Sequence, residues 1–178
     1  MKCRYFEAPP GVQLLHSLKN SVKGGETLFM DGFKAADIMK QDHPEEFEVL
    51  TKVPVTFHYK IGDNHRHFRH PTISLDGQNE FQAIYYSPQF QGPLDIPFEL
   101  VDKFYASFAL FSRIVNDPEL TLRTRLMPGD VAIFNNRRAL HARTTFDPNS
   151  GERHLKGTYV DLDDFRSKWR LLKARTDI

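Results

Sequence analysis

The 178-residue chain (20.7 kDa) is 40% apolar and sets 24 Lys+Arg against 23 Asp+Glu. That length suits one domain with a real core, and the near-neutral balance excludes a nucleic-acid binder driven by bulk charge. The single cysteine, Cys3, excludes an internal disulfide. No apolar run approaches the roughly 20 residues needed to span a bilayer. Residues 1–6 show neither an apolar h-region nor an Arg/Ser-rich presequence. The expectation is an intracellular, chiefly cytoplasmic protein with a small-molecule substrate, no nucleic-acid or membrane partner, and room for a homo-oligomer. The 15 Phe suggest a core between sheets, or a pocket that uses rings.

In chain order, Pro9-Pro10-Gly11 reads as a turn and Val12–Leu18 as a buried strand. Lys23-Gly24-Gly25-Glu26 is a second turn, followed by a short strand over Thr27–Met30. Asp31-Gly32 opens a helix from about Lys34 to Gln41, stopped at Asp42-His43-Pro44, and a short helix follows over Glu45–Leu50. Val53–Tyr59 alternates like an edge strand with a proline inside it. Asp63–His70 is polar and basic, and it leads into strands at Thr72–Leu75 and Phe81–Tyr86 around an Asp76-Gly77 turn. One long helix runs from about Pro97 to Val115, with Val101, Phe104, Tyr105, Phe108, Phe111 and Val115 as the stripe expected to cover a sheet face. The remainder reads as strands: Thr121–Leu126, Val131–Phe134, Ala139–Arg143 and His154–Asp161. Many short strands with tight turns and one core-packed helix indicate a mainly β jelly roll with helical insertions, as a single domain over residues 1–178.

The C-terminal strands carry the chemistry. His141 is expected near a strand end, and Arg153 begins another strand after the Asp147–Gly151 loop. On that strand Arg153, Leu155, Gly157 and Tyr159 share one face, since side chains alternate with period two. An arginine, a glycine and a tyrosine on one face suit a pocket that holds a carboxylate at one end and something aromatic-seeking at the other. The plainer readings are a structural histidine, an arginine paired with Asp161 or Asp163, and a tyrosine in the core.

Pro9–His16, Gly24-Gly25-Glu26-Thr27 and Asp31-Gly32-Phe33, taken with Pro128–Val131, Phe134–Arg137, Leu140–Arg143 and Arg153–Tyr159, form an ordered set over nearly the whole chain. That set resembles the TauD/TfdA-like iron(II)/2-oxoglutarate-dependent dioxygenases, most of all the carnitine-pathway branch of gamma-butyrobetaine and trimethyllysine dioxygenases. The resemblance implies a double-stranded β-helix and a two-His, one-carboxylate iron site with open positions for 2-oxoglutarate and O₂. It makes His141 the distal metal ligand and Arg153 the clamp on the far carboxylate of 2-oxoglutarate. It makes Thr27 the hydroxyl residue assisting that arginine, and Tyr159 a wall of a trimethylammonium cage. The implied reaction is hydroxylation of a trimethylammonium amino acid, gamma-butyrobetaine ahead of trimethyllysine.

The chain departs from the pattern at its start. Aligned on Tyr5-Phe6, the family's His-x-Asp/Glu pair puts its acid at Lys2, a cation that cannot ligate iron, and its histidine before Met1. The expectation is therefore an N-terminally truncated catalytic domain, mitochondrial if a leader is among the missing residues. A non-catalytic remnant acting as a binding protein is the rival reading. Asp63, His65, His67 and His70 form a separate cluster. In an extended segment His65 and His67 point the same way and suit two-point zinc or nickel binding, against the reading of an exposed polar loop. His16 is expected to satisfy a core hydrogen bond.

Overall fold

The computed structural model describes residues 6–176. Cys3, Lys2 and Tyr5 lie outside the described residues. Ten strands and four α-helices are described: β1 (Val12–Asn20), β2 (Thr27–Asp31), α1 (Gly32–Asp42), α2 (Pro44–Lys52), β3 (Pro54–Ile61), β4 (Asn64–Pro71), β5 (Ile73–Leu75), β6 (Phe81–Ile84), α3 (Phe98–Val115), β7 (Thr121–Thr124), β8 (Val131–Asn135), β9 (Ala139–Arg143), β10 (Arg153–Val160) and α4 (Leu162–Thr176). They form two three-stranded sheets, ordered β10-β1-β8 and β7-β2-β9, and two hairpin sheets, β3-β4 and β5-β6.

Two compact units share the chain. One contains residues 6–9, Phe29–Leu122 and Arg137–Leu140; the other contains Pro10–Leu28, Arg123–Asn136 and residues 141–176. The first holds the main apolar core, with Met39, Leu50, Phe57, Ile73, Ile84, Phe104 and Phe111 fully enclosed. Helix α1 starts where it does because Asp31 caps it: its carboxylate accepts the Phe33 N–H at 3.0 Å and is gripped by Arg138. Arg138 lowers the Asp31 pKa through that hydrogen bond.

Three expectations need correction. The polar segment from Asp63 is no loop: β4 pairs with β3 over its whole length, from Pro54↔Pro71 to Ile61↔Asn64. Its inward face alternates correctly, with Phe68 opposite Phe57 and His70 opposite Val55, so the hairpin forms although only one side of it is apolar. His70 is buried there, its Nε2–H donating to Phe6 O (2.9 Å) and its ring stacking on Tyr85.

The C-terminus is not all strand, since α4 closes it. Phe165, Trp169 and Leu172 recur at helical spacing among many charges, and all three stay exposed, so no core demand marks the helix.

The α3 stripe is narrower than expected and packs mainly on α1 and α2 rather than on a sheet. Phe104, Ser107, Phe111 and Val115 are its buried residues, while Tyr105, one step round the helix, is 55% exposed. Phe104→Ala should therefore cost about 3–5 kcal/mol, as expected for emptying an enclosed aromatic site. Tyr105→Ala should cost less than about 1 kcal/mol. Urea unfolding of the two variants checks this, and equal losses would contradict the packing.

Candidate active site

All four residues singled out for the site, Thr27, His141, Arg153 and Tyr159, fall in the second unit. Strand β10 keeps the expected alternation except at Gly157: Arg153, Leu155 and Tyr159 are half-buried, while Gly157 is exposed along with His154, Lys156, Thr158 and Val160. Register carries this face across the sheet. Tyr159 pairs with Gln13 of β1, and Gln13 pairs with Phe134 of β8. Directly opposed residues in antiparallel strands point to the same side, so Tyr159, Gln13 and Phe134 form one transverse row. The His141 ring lies 5.1 Å from the Phe134 ring, which brings His141 against the same row. Gln13 is 2% exposed, and its Oε1 is buried without a hydrogen-bond partner. His16, one of the alternate residues of β1, is half-buried on the opposite face; the expected core hydrogen bond is not among its described contacts.

The other end of the face is built by a turn. Gly24 and Gly25 both take left-handed backbone (φ +78° and +74°), which a side chain would oppose. Arg125 fastens the preceding segment by donating to the carbonyls of Asn20, Val22 and Gly24 at 3.0, 2.6 and 2.9 Å. Gly25 N–H donates to Thr145 O (3.0 Å), and Glu26 N–H to Thr144 Oγ1 (3.0 Å). The turn is thereby pinned against the segment after β9 that carries Phe146, which itself bridges to Gly24. The Phe146 ring lies within cation–π reach of both Arg143 (4.3 Å) and Arg153 (5.5 Å).

Arg153 is thus flanked by the Phe146 ring and Gly25, and no acid pairs with it among the described residues. A Cβ on Gly25 would come within 3.2 Å of its Nε. That Nε is buried and makes no hydrogen bond. The nearby acid, Glu26, is already held by Arg123, whose Nε donates to it at 2.6 Å. Among the described residues Arg125, Arg143 and Arg153 form no ion pair. Burial first, then the like charges of Arg143 and Arg125, push the Arg153 pKa below the ordinary arginine value. A half-buried guanidinium whose enclosed Nε–H has no partner, set among like charges, has the chemistry to attract an anion, and a planar carboxylate matches its fork. Thr27, two residues past Gly25, is buried at the start of β2. Gly25, rather than Thr27, makes the described contact with Arg153.

Sequence reasoning missed Arg125, Arg143, Phe146 and Gln13. Only Gln13 carried a signal, as the polar residue at an inward position of a strand already read as buried. Metal ligation is incomplete: among the described residues no three His, Cys, Asp or Glu side chains gather to hold an ion. Of the positions expected to form the triad, only His141 is among the described residues, and Lys2, at the expected acid position, lies outside them.

Comparison with known proteins gives the frame. The family model "Taurine catabolism dioxygenase TauD, TfdA family" matches residues 3–159. Dioxygenase str8 of Strobilurus tenacellus is 37% identical over 97% of this chain and 42% of its own length. Gamma-butyrobetaine dioxygenase of Pseudomonas sp. (strain AK-1) is 35% identical over 94% and 44%. Mitochondrial trimethyllysine dioxygenase of Bos taurus is 36% identical over 94% and 41%. The chain therefore spans less than half the length of these curated relatives. In fold it is similar to the crystal structure of AAD-2 in complex with Mn(II) and N-oxalylglycine, with TM-score 0.68, 15% identity, and coverage of 88% of this chain and 65% of that one. This likeness agrees with the expected jelly-roll class.

The packing around Arg153 yields a direct expectation. Gly25→Ala adds left-handed strain and tight contacts with Arg153 Nε (3.2 Å) and Phe146 Cβ (3.3 Å), whereas Gly62→Ala (φ +51°) adds strain alone, since nothing lies within 4 Å of it. Gly25→Ala should lower stability by at least about 1 kcal/mol more than Gly62→Ala. Thermal melts of the two variants measure the difference, and equal costs would contradict the close approach of the turn to Arg153.

Proposed function

We infer the function of this chain from one premise: it belongs to the TauD/TfdA family of dioxygenases. The reading is that it carries the 2-oxoglutarate-binding and substrate-binding face of an Fe(II)/2-oxoglutarate-dependent dioxygenase. Its substrate on this reading is a trimethylammonium amino acid, gamma-butyrobetaine ahead of trimethyllysine. The observation that carries it is the half-buried Arg153, its enclosed Nε–H without a partner, on the same strand face as Tyr159.

Each residue then has a definite task. Arg153 grips the distal carboxylate of 2-oxoglutarate, and the positive field of Arg125 and Arg143 adds to the attraction. Gly25 and Phe146 hold the guanidinium in place, so little rotamer freedom is lost when the anion arrives. At the far end, Tyr159 offers a ring face to the quaternary ammonium group. Arg153 and Tyr159 are six residues apart on one strand, about 20 Å at ~3.3 Å per residue. That span accommodates a five-carbon dicarboxylate and a betaine in sequence along the face.

His141, against Phe134 in the same row as Tyr159, is the one imidazole of the iron triad in the described chain. When bound, iron would supply the oxygen activation that these side chains lack. The described residues by themselves do not fit the ion, because two of its three protein ligands are not among them. The roles above are accordingly those of binding and orientation.

Binding of 2-oxoglutarate and gamma-butyrobetaine by saturation-transfer NMR tests this reading on the chain as it stands. Lacking the metal chelate, 2-oxoglutarate should bind with Kd of about 1 mM, or about 4 kcal/mol. Arg153→Ala should weaken it at least tenfold, while Tyr159→Ala should weaken gamma-butyrobetaine and leave 2-oxoglutarate unchanged. Since the described residues gather no three metal ligands, no succinate should form. Unchanged 2-oxoglutarate binding in Arg153→Ala would remove the clamp, and iron-dependent succinate release lost in His141→Ala would show a working metal site in this chain.

A further inference from the structure

The β3–β4 hairpin, in the unit that does not contain the candidate active site, carries a histidine cluster that the dioxygenase reading does not use. Its two faces are chemically unlike. Val55, Phe57, Phe68 and His70 face the core, and the opposite face presents Thr56, His58 and Lys60 from β3 against Arg69, His67 and His65 from β4. His58 and His67 are direct cross-strand partners, and His65 lies two residues from His67 on the same side. All three are exposed, and none makes a hydrogen bond or ion pair among the described residues. Arg66, the residue between His65 and His67, points to the other face and lies over the Phe6 ring at 4.6 Å. Arg69 is engaged by Asp95.

We propose that His65 and His67, with His58 as third ligand, form a surface site for a divalent first-row transition ion of zinc type. Distance carries the first step. Zinc–nitrogen bonds of about 2.0–2.1 Å with tetrahedral angles set the centres of two ligating imidazoles about 5 Å apart. The His65 and His67 rings are 5.7 Å apart and tilted by 48°, so a small χ rotation aims one nitrogen of each at a common point. Among the described residues no three ligands are already gathered. The pair is therefore the chelating unit, and His58 joins by rotation. Its ring now leans on Gly92, with Nδ1 3.7 Å from where a Cβ there would sit. Directly opposed residues have Cβ atoms about 4.5–5.5 Å apart, which puts His58 within reach of an ion held by His67.

Imidazole suits zinc, copper and nickel, and an extended strand supplies same-face spacing at i, i+2 without strain. Lys60, opposite His65, opposes a dication but has a long stem that turns its ammonium to solvent. An ion bridging β3 and β4 would clip the two strands together near the turn that joins them.

Calorimetric titration of the intact chain with zinc chloride at pH 7.5 tests the proposal. One zinc per chain is expected at micromolar affinity, weakened at least tenfold in His65→Ala/His67→Ala and several-fold in His58→Ala. Because ligands must be deprotonated, affinity should also fall steeply by pH 5. Imidazole NMR on the unmodified chain decides even if a variant misfolds: zinc should shift the His65 and His67 ring signals and leave buried His70 unmoved. Zinc binding that survives loss of both histidines, that is abolished by His141→Ala instead, or that leaves the His65 and His67 signals unchanged would overturn the proposal.

Discussion

The candidate site depends on one unneutralised charge. Arg153 lies with its Nε buried and unpaired, beside Arg125 and Arg143, while the neighbouring acid Glu26 is taken by Arg123. Leaving a charged donor buried without a partner costs free energy that folding must offset elsewhere. A chain selected for stability alone would place a carboxylate there. The surrounding turn instead fixes the guanidinium: two left-handed glycines let the backbone approach, and Arg125 spends its donors on three carbonyls of that segment. The cost is that of one unpaired buried donor, and the readiness for an anion is its consequence.

The same face shows how a sheet couples distant parts of a sequence. Gln13, Phe134 and Tyr159 are far apart in the chain, yet register makes them one row, and the His141 ring closes on it. A slip of one residue in β10 would turn Arg153 and Tyr159 outward together. The placements of Arg153 and Tyr159 are therefore not independent: one register sets both. Loss of pairing along β1 would disable both ends of the face at once.

Much of this was legible beforehand, for reasons that differ by residue. The β10 face followed from period two alone, and the α1 start from Asp31-Gly32. The residues around Arg153 were not legible, because Arg125, Arg143 and Phe146 meet it only through tertiary structure and carry no periodic signal. Polar composition misled at Asp63–His70, where a hairpin is held by one apolar face and its histidines alternate across it. It misled again at Leu162–Thr176, whose apolar residues occur at helical spacing but stay exposed. Propensity rules read burial, and both segments form regular structure with little of it.

The central claim is that Arg153 is an anion clamp waiting for its ligand. The most direct measurement follows the Arg153 Nε–H signal by arginine-selective ¹⁵N NMR while 2-oxoglutarate is added to the intact chain. The account predicts a single Arg153 Nε–H resonance that shifts and exchanges more slowly with solvent as the dicarboxylate binds, with Arg123 unaffected because Glu26 already holds it. An Arg153 signal that stays fixed while ligand binding registers elsewhere would contradict it.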